Sequence, residues 1–179
     1  SIDHHHISTQ MKISTWIIAG ATIAGIGFYL TRPIKATFRL TKEIATNPGT
    51  LYNYLRELPT FYEMNRKGYN PIIQSTTANE MKYLLKDDFA GMHFETPILR
   101  KWDEKPVHNV WDEWKLFKSD MRVTYFCNPA NPPKNDKTIL EVQGDISGPR
   151  WSVGLLQLSQ KEIGAKLTKI QQKFQSTQK

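Results

Sequence analysis

Four side chains in this sequence are spaced for proton transfer. His93 with Glu95, and His108 with Asp112, each pair an imidazole with a carboxylate two or four residues apart. Such groups exchange protons near neutral pH, and on an extended chain that spacing puts both members of a pair on one face. Spacing alone makes no cleft, and each histidine has a plainer reading: His93 ends a loop beside Gly91, and His108 solvates a strand edge. Cys127, in the apolar run Val123-Thr124-Tyr125-Phe126-Cys127, has no base beside it and reads as an inert core thiol. The Asp3-His4-His5-His6 run is a polar tail to which no metal site is assigned. The sequence holds no Gly-rich phosphate loop, no His/Cys metal spacing and no nucleophile elbow. The reading is therefore non-catalytic and without a cofactor, with a bound lipid or quinone as the ligand class left open.

One further segment stands out for its side chains. Residues 102–114 bring Trp102, Trp111 and Trp114 together with Asp103, Glu104, Lys105, Asp112 and Glu113. Tryptophan at an edge can anchor a partner or a headgroup surface. The plainer reading is a hairpin held by large cross-strand pairs.

The elements that must position these groups follow from periodicity. Residues 36–44 alternate, with Phe38, Leu40 and Ile44 on one side, as a half-buried strand does. Asn47-Pro48 supplies an N-cap followed by proline at the first helical position, and Leu51, Tyr54, Leu55 and Leu58 form an apolar helical stripe. Pro59 ends that helix, and residues 60–65 read as a second short helical turn. Strands are expected over 69–76, 80–87, 94–102, 107–117, 120–128 and 138–147, separated by turn-forming residues. Period two recurs in Met81, Tyr83 and Leu85, in Met121, Val123, Tyr125 and Cys127, and in Leu140, Val142 and Ile146. From 152 to 174, Leu156, Ile163, Leu167, Ile170 and Phe174 keep helical spacing. The expected architecture is α+β: a curved antiparallel sheet of about seven strands, one face covered by a long C-terminal helix.

Upstream of the domain, Ile13 to Leu30 contain no charged side chain and are flanked by Lys12 and Arg32. As a helix these residues reach about 27 Å, enough for a hydrocarbon core of roughly 30 Å. Trp16 and Tyr29 stand near the two ends, where amphipathic rings prefer the headgroup level. A cleaved signal or a buried core helix are the competing readings. Thr31-Arg32-Pro33 is no small-residue cleavage site, and hydropathy identifies such spans well. Gly20 with Ala24, and Ala21 with Gly25, are small-xxx-small pairs that admit a neighbouring helix. Arg32, Lys35, Arg39 and Lys42 follow the span, so the positive-inside rule puts the C-terminal part in the cytoplasm or the mitochondrial matrix. The same residues suit anionic headgroups.

The expected organisation is thus a polar tail over 1–12, a transmembrane helix over 13–30, a short tether over 31–35 and one domain over 36–176. The 179-residue chain carries a formal net charge of +7, and the part after residue 30 keeps that charge because the removed part holds only Lys12 and Asp3. Such a balance suits a membrane surface or an acidic partner, and no nucleic-acid partner is expected. The single cysteine rules out an intrachain disulfide and fits a reducing compartment.

The order strand, two short helices, six strands, long C-terminal helix resembles the START-like helix-grip superfamily, which includes polyketide cyclase-like, lipid-transfer and coenzyme Q-binding proteins. The match is best over residues 38–65: a strand ending in a hydrophobic residue, an Asn-Pro cap, a helix carrying aromatic residues, then Leu58-Pro59-Thr60-Phe61-Tyr62. Where coenzyme Q-binding members continue toward a Pro-Trp-Cys-like segment, this chain reads Glu63-Met64-Asn65-Arg66. The resemblance implies a cavity between the concave sheet face and the last helix. The residues expected around it are Phe61, Tyr62, Met81, Tyr83, Tyr125, Leu156, Ile163 and Leu167; the plainer reading is that they pack on each other. The functional expectation is a non-catalytic accessory subunit of a membrane complex of respiratory type, in the mitochondrial inner membrane with its domain on the matrix side. Its partners would be membrane lipids and membrane proteins met through the span. The alternative is a membrane-anchored carrier of a lipid, isoprenoid or quinone.

Overall fold

The computed structural model describes residues 21–57, 71–89, 92–103, 108–130 and 136–176. A helix, α1, runs over residues 21–31. Seven strands follow: β1 (Pro33–Ile44), β2 (Ile72–Thr76), β3 (Glu80–Phe89), β4 (Met92–Trp102), β5 (Asn109–Leu116), β6 (Ser119–Pro129) and β7 (Thr138–Pro149). Helix α2 (Pro48–Arg56) lies between β1 and β2, and α3 (Val153–Ser176) follows β7 through a single turn, Arg150–Ser152. The strands form one antiparallel sheet in the order β1-β7-β6-β5-β4-β3-β2. The chain therefore crosses the sheet once, from β1 at one edge to β2 at the other through the segment that holds α2, and β2 to β7 then run as a meander that ends beside β1. The α+β expectation of a seven-stranded antiparallel sheet with a long C-terminal helix describes this architecture.

Local chemistry accounts for the boundaries. Asn47 caps α2 by accepting a hydrogen bond from the Thr50 N–H at 2.8 Å, and Pro48 occupies the first turn where no N–H is needed. Leu51, Tyr52, Tyr54 and Leu55 turn inward from this helix. Asn47→Ala is expected to cost about 0.5–2 kcal/mol, typical of a lost side-chain cap, and a urea titration against the unsubstituted protein measures it.

Alternation decides the two faces of the sheet. Tyr83, Ile98, Trp102, Val110, Met121, Val123, Tyr125, Leu140, Val142 and Ile146 are buried on the inner face. α3 lies over β1 and β7, while α2 lies over β5 and β6. Leu156, Ile163, Leu167 and Ile170 of α3 are buried against that face, as their spacing predicted. The two helices also meet each other, the Tyr54 and Phe174 rings packing edge to face at 5.4 Å.

Two expectations change at the N-terminal side. β1 starts at Pro33, paired with Pro149, so residues 33–35, read from sequence as tether, already belong to the sheet. Among the described residues, no helix is long and apolar enough to cross a membrane. α1 covers the second half of the expected span; residues 13–20, with Gly20 of the expected packing face and the 1–12 tail, lie outside the described residues. Every residue of α1 is exposed, including Ile23 at 71 % and Phe28 at 68 %. Ala21, Ala24 and Gly25 share that exposure, and a Cβ on Gly25 would meet nothing within 4 Å.

Candidate functional site

Among the described residues, the inner face of the sheet carries one ionic constellation, and it is almost wholly buried. Arg100 on β4 and Asp112 on β5 stand directly opposite in the register, both on inward positions. Arg100 Nε donates to Asp112 Oδ1 at 2.8 Å and a terminal nitrogen donates to Oδ2 at 2.6 Å, the two-pronged geometry that suits a guanidinium and a carboxylate. The other terminal nitrogen donates to the Leu55 carbonyl at 2.8 Å. That carbonyl lies in the last turn of α2, where a cation is favourable. Tyr83 completes the group, donating its hydroxyl to Asp112 Oδ1 at 3.3 Å, with the guanidinium 5.9 Å from its ring centre. Arg100 retains 1 % of its exposure and Asp112 4 %. Each bond satisfies a group that burial would otherwise leave costly, and together they join α2 to the middle of the sheet.

This geometry reassigns the residues read as acid–base pairs. Asp112 faces Arg100 rather than His108. His108 packs edge to face on Tyr52 at 5.2 Å, and its carbonyl accepts from the Cys127 N–H. Glu95 is exposed and ion-paired with Lys86 at 3.1 Å across β3 and β4, on the face opposite to Ile98 and Arg100. The His93 side chain lies outside the described residues.

Of the residues expected around a ligand, Tyr83, Tyr125, Leu156, Ile163 and Leu167 all belong to one buried cluster, with Met81 packed against it. Phe61 and Tyr62 lie outside the described residues. An open trough of about 770 Å³ runs from β1 toward β2, lined by Thr37, Asp145, Arg122, Glu113, Leu99 and Lys82, among others. These six are register partners across the sheet, and the alternating inward residues Ala36, Ile146, Met121, Trp114 and Ile98 line the trough as well, so its wall takes residues from both faces. None of the six described candidate residues lines it. Its polar groups are drawn to one another: Thr37 donates to Asp145 at 2.7 Å, and Arg122 lies 3.8 Å from Glu113.

The three tryptophans of the 102–114 segment separate. Trp102 is buried, donates to the Ala78 carbonyl at 2.9 Å and lies 4.8 Å from the Arg56 guanidinium. Trp111 faces outward beneath Arg122 at 5.0 Å, and Trp114 packs against the core opposite Ile98. The cross-strand reading thus describes Trp114, while Trp102 links its hairpin to α2.

Cys127 is buried, and burial pushes its thiol from 9.0 up to about 12. A raised pKa means that the folded chain keeps the proton where the unfolded chain loses it. The associated stability is fully present below pH 9 and is lost as pH rises through about 12. Cys127→Ala is expected to flatten the fall in stability over that window, as denaturant titrations at successive pH values will show. Thiol reagents are expected to modify Cys127 only as fast as the domain opens.

An inner face covered by a long C-terminal helix, with a short capped helix after the first strand, is the START-like helix-grip arrangement. Solved structures bear this out. The aromatase/cyclase Zhui from Streptomyces sp. R1128 superposes with a TM-score of 0.67 at 11 % identity, over 82 % of this chain and 97 % of that one. Norcoclaurine synthase from Thalictrum flavum gives 0.63 at 8 % identity, over 83 % and 99 %. A START superfamily protein from Mycobacterium smegmatis gives 0.57 at 12 % identity, over 79 % and 98 %. No family model matches the sequence, and no curated protein does. Likeness at such identities shows the fold alone: this chain has the START-like fold.

Proposed function

We propose that this protein is a membrane-tethered START-like domain that serves as a non-catalytic accessory subunit of a membrane complex. The observation that carries the reading is α1. An apolar helix whose residues are all exposed, Ile23 and Ile26 among them, needs lipid or neighbouring helices to cover it. The span over 13–30 supplies that setting, with Gly20, Ala21, Ala24 and Gly25 as the approach for another helix. The basic exit sets the domain on the matrix side of a mitochondrial inner membrane, through Arg32 and Lys35. Arg39 and Lys42 instead reach Glu141 and Gln171 of the domain itself. The inner-face ionic group supports the non-catalytic part of the reading, because both oxygens of Asp112 are engaged by Arg100.

A second reading, a carrier of a lipid, isoprenoid or quinone, is favoured by one observation: one of the similar structures, norcoclaurine synthase, is a complex with a transition-state analogue, so this fold can hold a small organic molecule. Purification from native membranes in mild detergent, followed by mass spectrometry of proteins and lipids, separates the two. A large stoichiometric complex without retained ligand is expected. A lone, lipid-loaded chain would overturn the subunit reading.

A further inference from the structure

The end of the domain nearest α1 carries aromatic side chains that the core does not use. β5 and β6 are joined by a two-residue turn, Phe117-Lys118. Phe117 has φ 55°, in the left-handed region where glycine is the ordinary occupant of such a hairpin turn. This strained position holds a large apolar side chain that is 68 % exposed. Its ring meets Trp151 edge to face at 6.0 Å, and Trp151 is itself 42 % exposed. An open space of about 820 Å³ separates this pair from Thr31 and Pro33, where α1 gives way to β1.

The pair is tied to the end of α1 and surrounded by positive charge. The Arg150 backbone N–H donates to the Arg32 carbonyl at 3.0 Å, and the Arg150 guanidinium lies 4.1 Å from the centre of the Tyr29 ring. Arg32, Lys118 and Arg150 are all exposed. The nearest carboxylate of the hairpin, Asp120, is ion-paired with Lys115 at 3.2 Å. Exposed aromatic rings among exposed basic residues match a bilayer interface, where rings sit at headgroup depth and cations meet anionic lipid.

We propose that Phe117 and Trp151 enter the interfacial layer of an anionic bilayer, making the hairpin tip and the turn before α3 a second membrane contact beside α1. The contact would fix the tilt of the domain on the membrane, which a single helix joined through Arg32 would leave free. This inference rests on the tethered reading above, and its test reads the two separately. The full chain is reconstituted into phosphatidylcholine–phosphatidylglycerol vesicles whose acyl chains are brominated near the headgroup, and tryptophan quenching is compared among the unsubstituted, Trp151→Phe and Trp16→Phe proteins. The quenched emission is expected to fall in Trp151→Phe, and Phe117→Ser is expected to reduce quenching of the retained Trp151. If Trp151→Phe leaves the quenched fraction unchanged while Trp16→Phe lowers it, the tether stands and the second contact is overturned. If neither substitution lowers it, both are overturned. Loss confined to Trp151→Phe supports the contact and removes the spanning helix. A surface made for a protein partner would leave Trp151 unquenched, which also overturns the proposal.

Discussion

Replacing Asp112 with alanine is expected to lower the unfolding free energy by about 3–5 kcal/mol, since it leaves the Arg100 guanidinium buried without its counter-charge. For a chain of this size that corresponds to a fall in Tm on the order of 10 °C. The cost comes mainly from the group left behind. Arg100 is 1 % exposed, so water cannot replace the lost carboxylate without opening the sheet or α2. The double variant Arg100→Met/Asp112→Ala should therefore recover most of the loss, because it removes both charges and leaves no buried ion without its partner. A double-mutant cycle in urea, with the chain held in mild detergent, measures the coupling. If Asp112→Ala and the double variant are equally destabilised, the loss lies in packing and not in the charge. Arg100→Lys should not substitute: an ammonium cannot meet both Asp112 oxygens and the Leu55 carbonyl in one plane.

The second large effect is expected at Gly144, on β7 opposite Phe38 of β1. A Cβ built there would lie 2.1 Å from Phe38 Cε1 and 2.4 Å from Cζ. Phe38 is itself buried at 7 % exposure, so its ring cannot swing aside without disturbing the packing beside it. Gly144→Ala is expected to destabilise by about 1–3 kcal/mol, as overpacking of a close-packed core does. Gly164→Ala in α3 is the contrasting case. Its Cβ would reach Leu40 Cδ1 at 3.9 Å, an ordinary contact, and alanine is favoured in a helix by about 0.5–1 kcal/mol. The two substitutions should thus move the urea midpoint in opposite directions. A fall at Gly164 equal to that at Gly144 would mean that α3 lies closer to β1 than the structure places it.

Gly144 also shows where reading the sequence stops. The strand 138–147 was legible from the alternation of Leu140, Val142 and Ile146, and Gly144 falls on the same face. That the glycine makes room for one particular phenylalanine depends on the register of β1 against β7, which joins residues more than a hundred positions apart. The same limit explains Asp112. Sequence proximity suggested His108 as its partner, but hairpin pairing brought Arg100 across to it, while His108 moved onto Tyr52 of α2. The three tryptophans illustrate the effect within a few residues. Trp111 and Trp114 are an odd number of positions apart on one strand, so they face opposite ways, one to Arg122 and one to the core.

Among the described residues of the domain, the sequence by itself determined the strands, the capped helix and the C-terminal helix, with their faces. The period of two in the strands, the Asn47-Pro48 cap and the helical stripe Leu156, Ile163, Leu167 and Ile170 are properties of a short stretch of backbone, readable without neighbours. Those local rules were enough for an α+β domain with a seven-stranded sheet and a covering helix. Only the tertiary structure decided which groups meet: the Arg100–Asp112–Leu55 junction, the trough across the sheet, and the exposed Phe117–Trp151 pair beside α1. Each depends on register and sheet curvature, and these are settled by contacts between segments far apart in the chain.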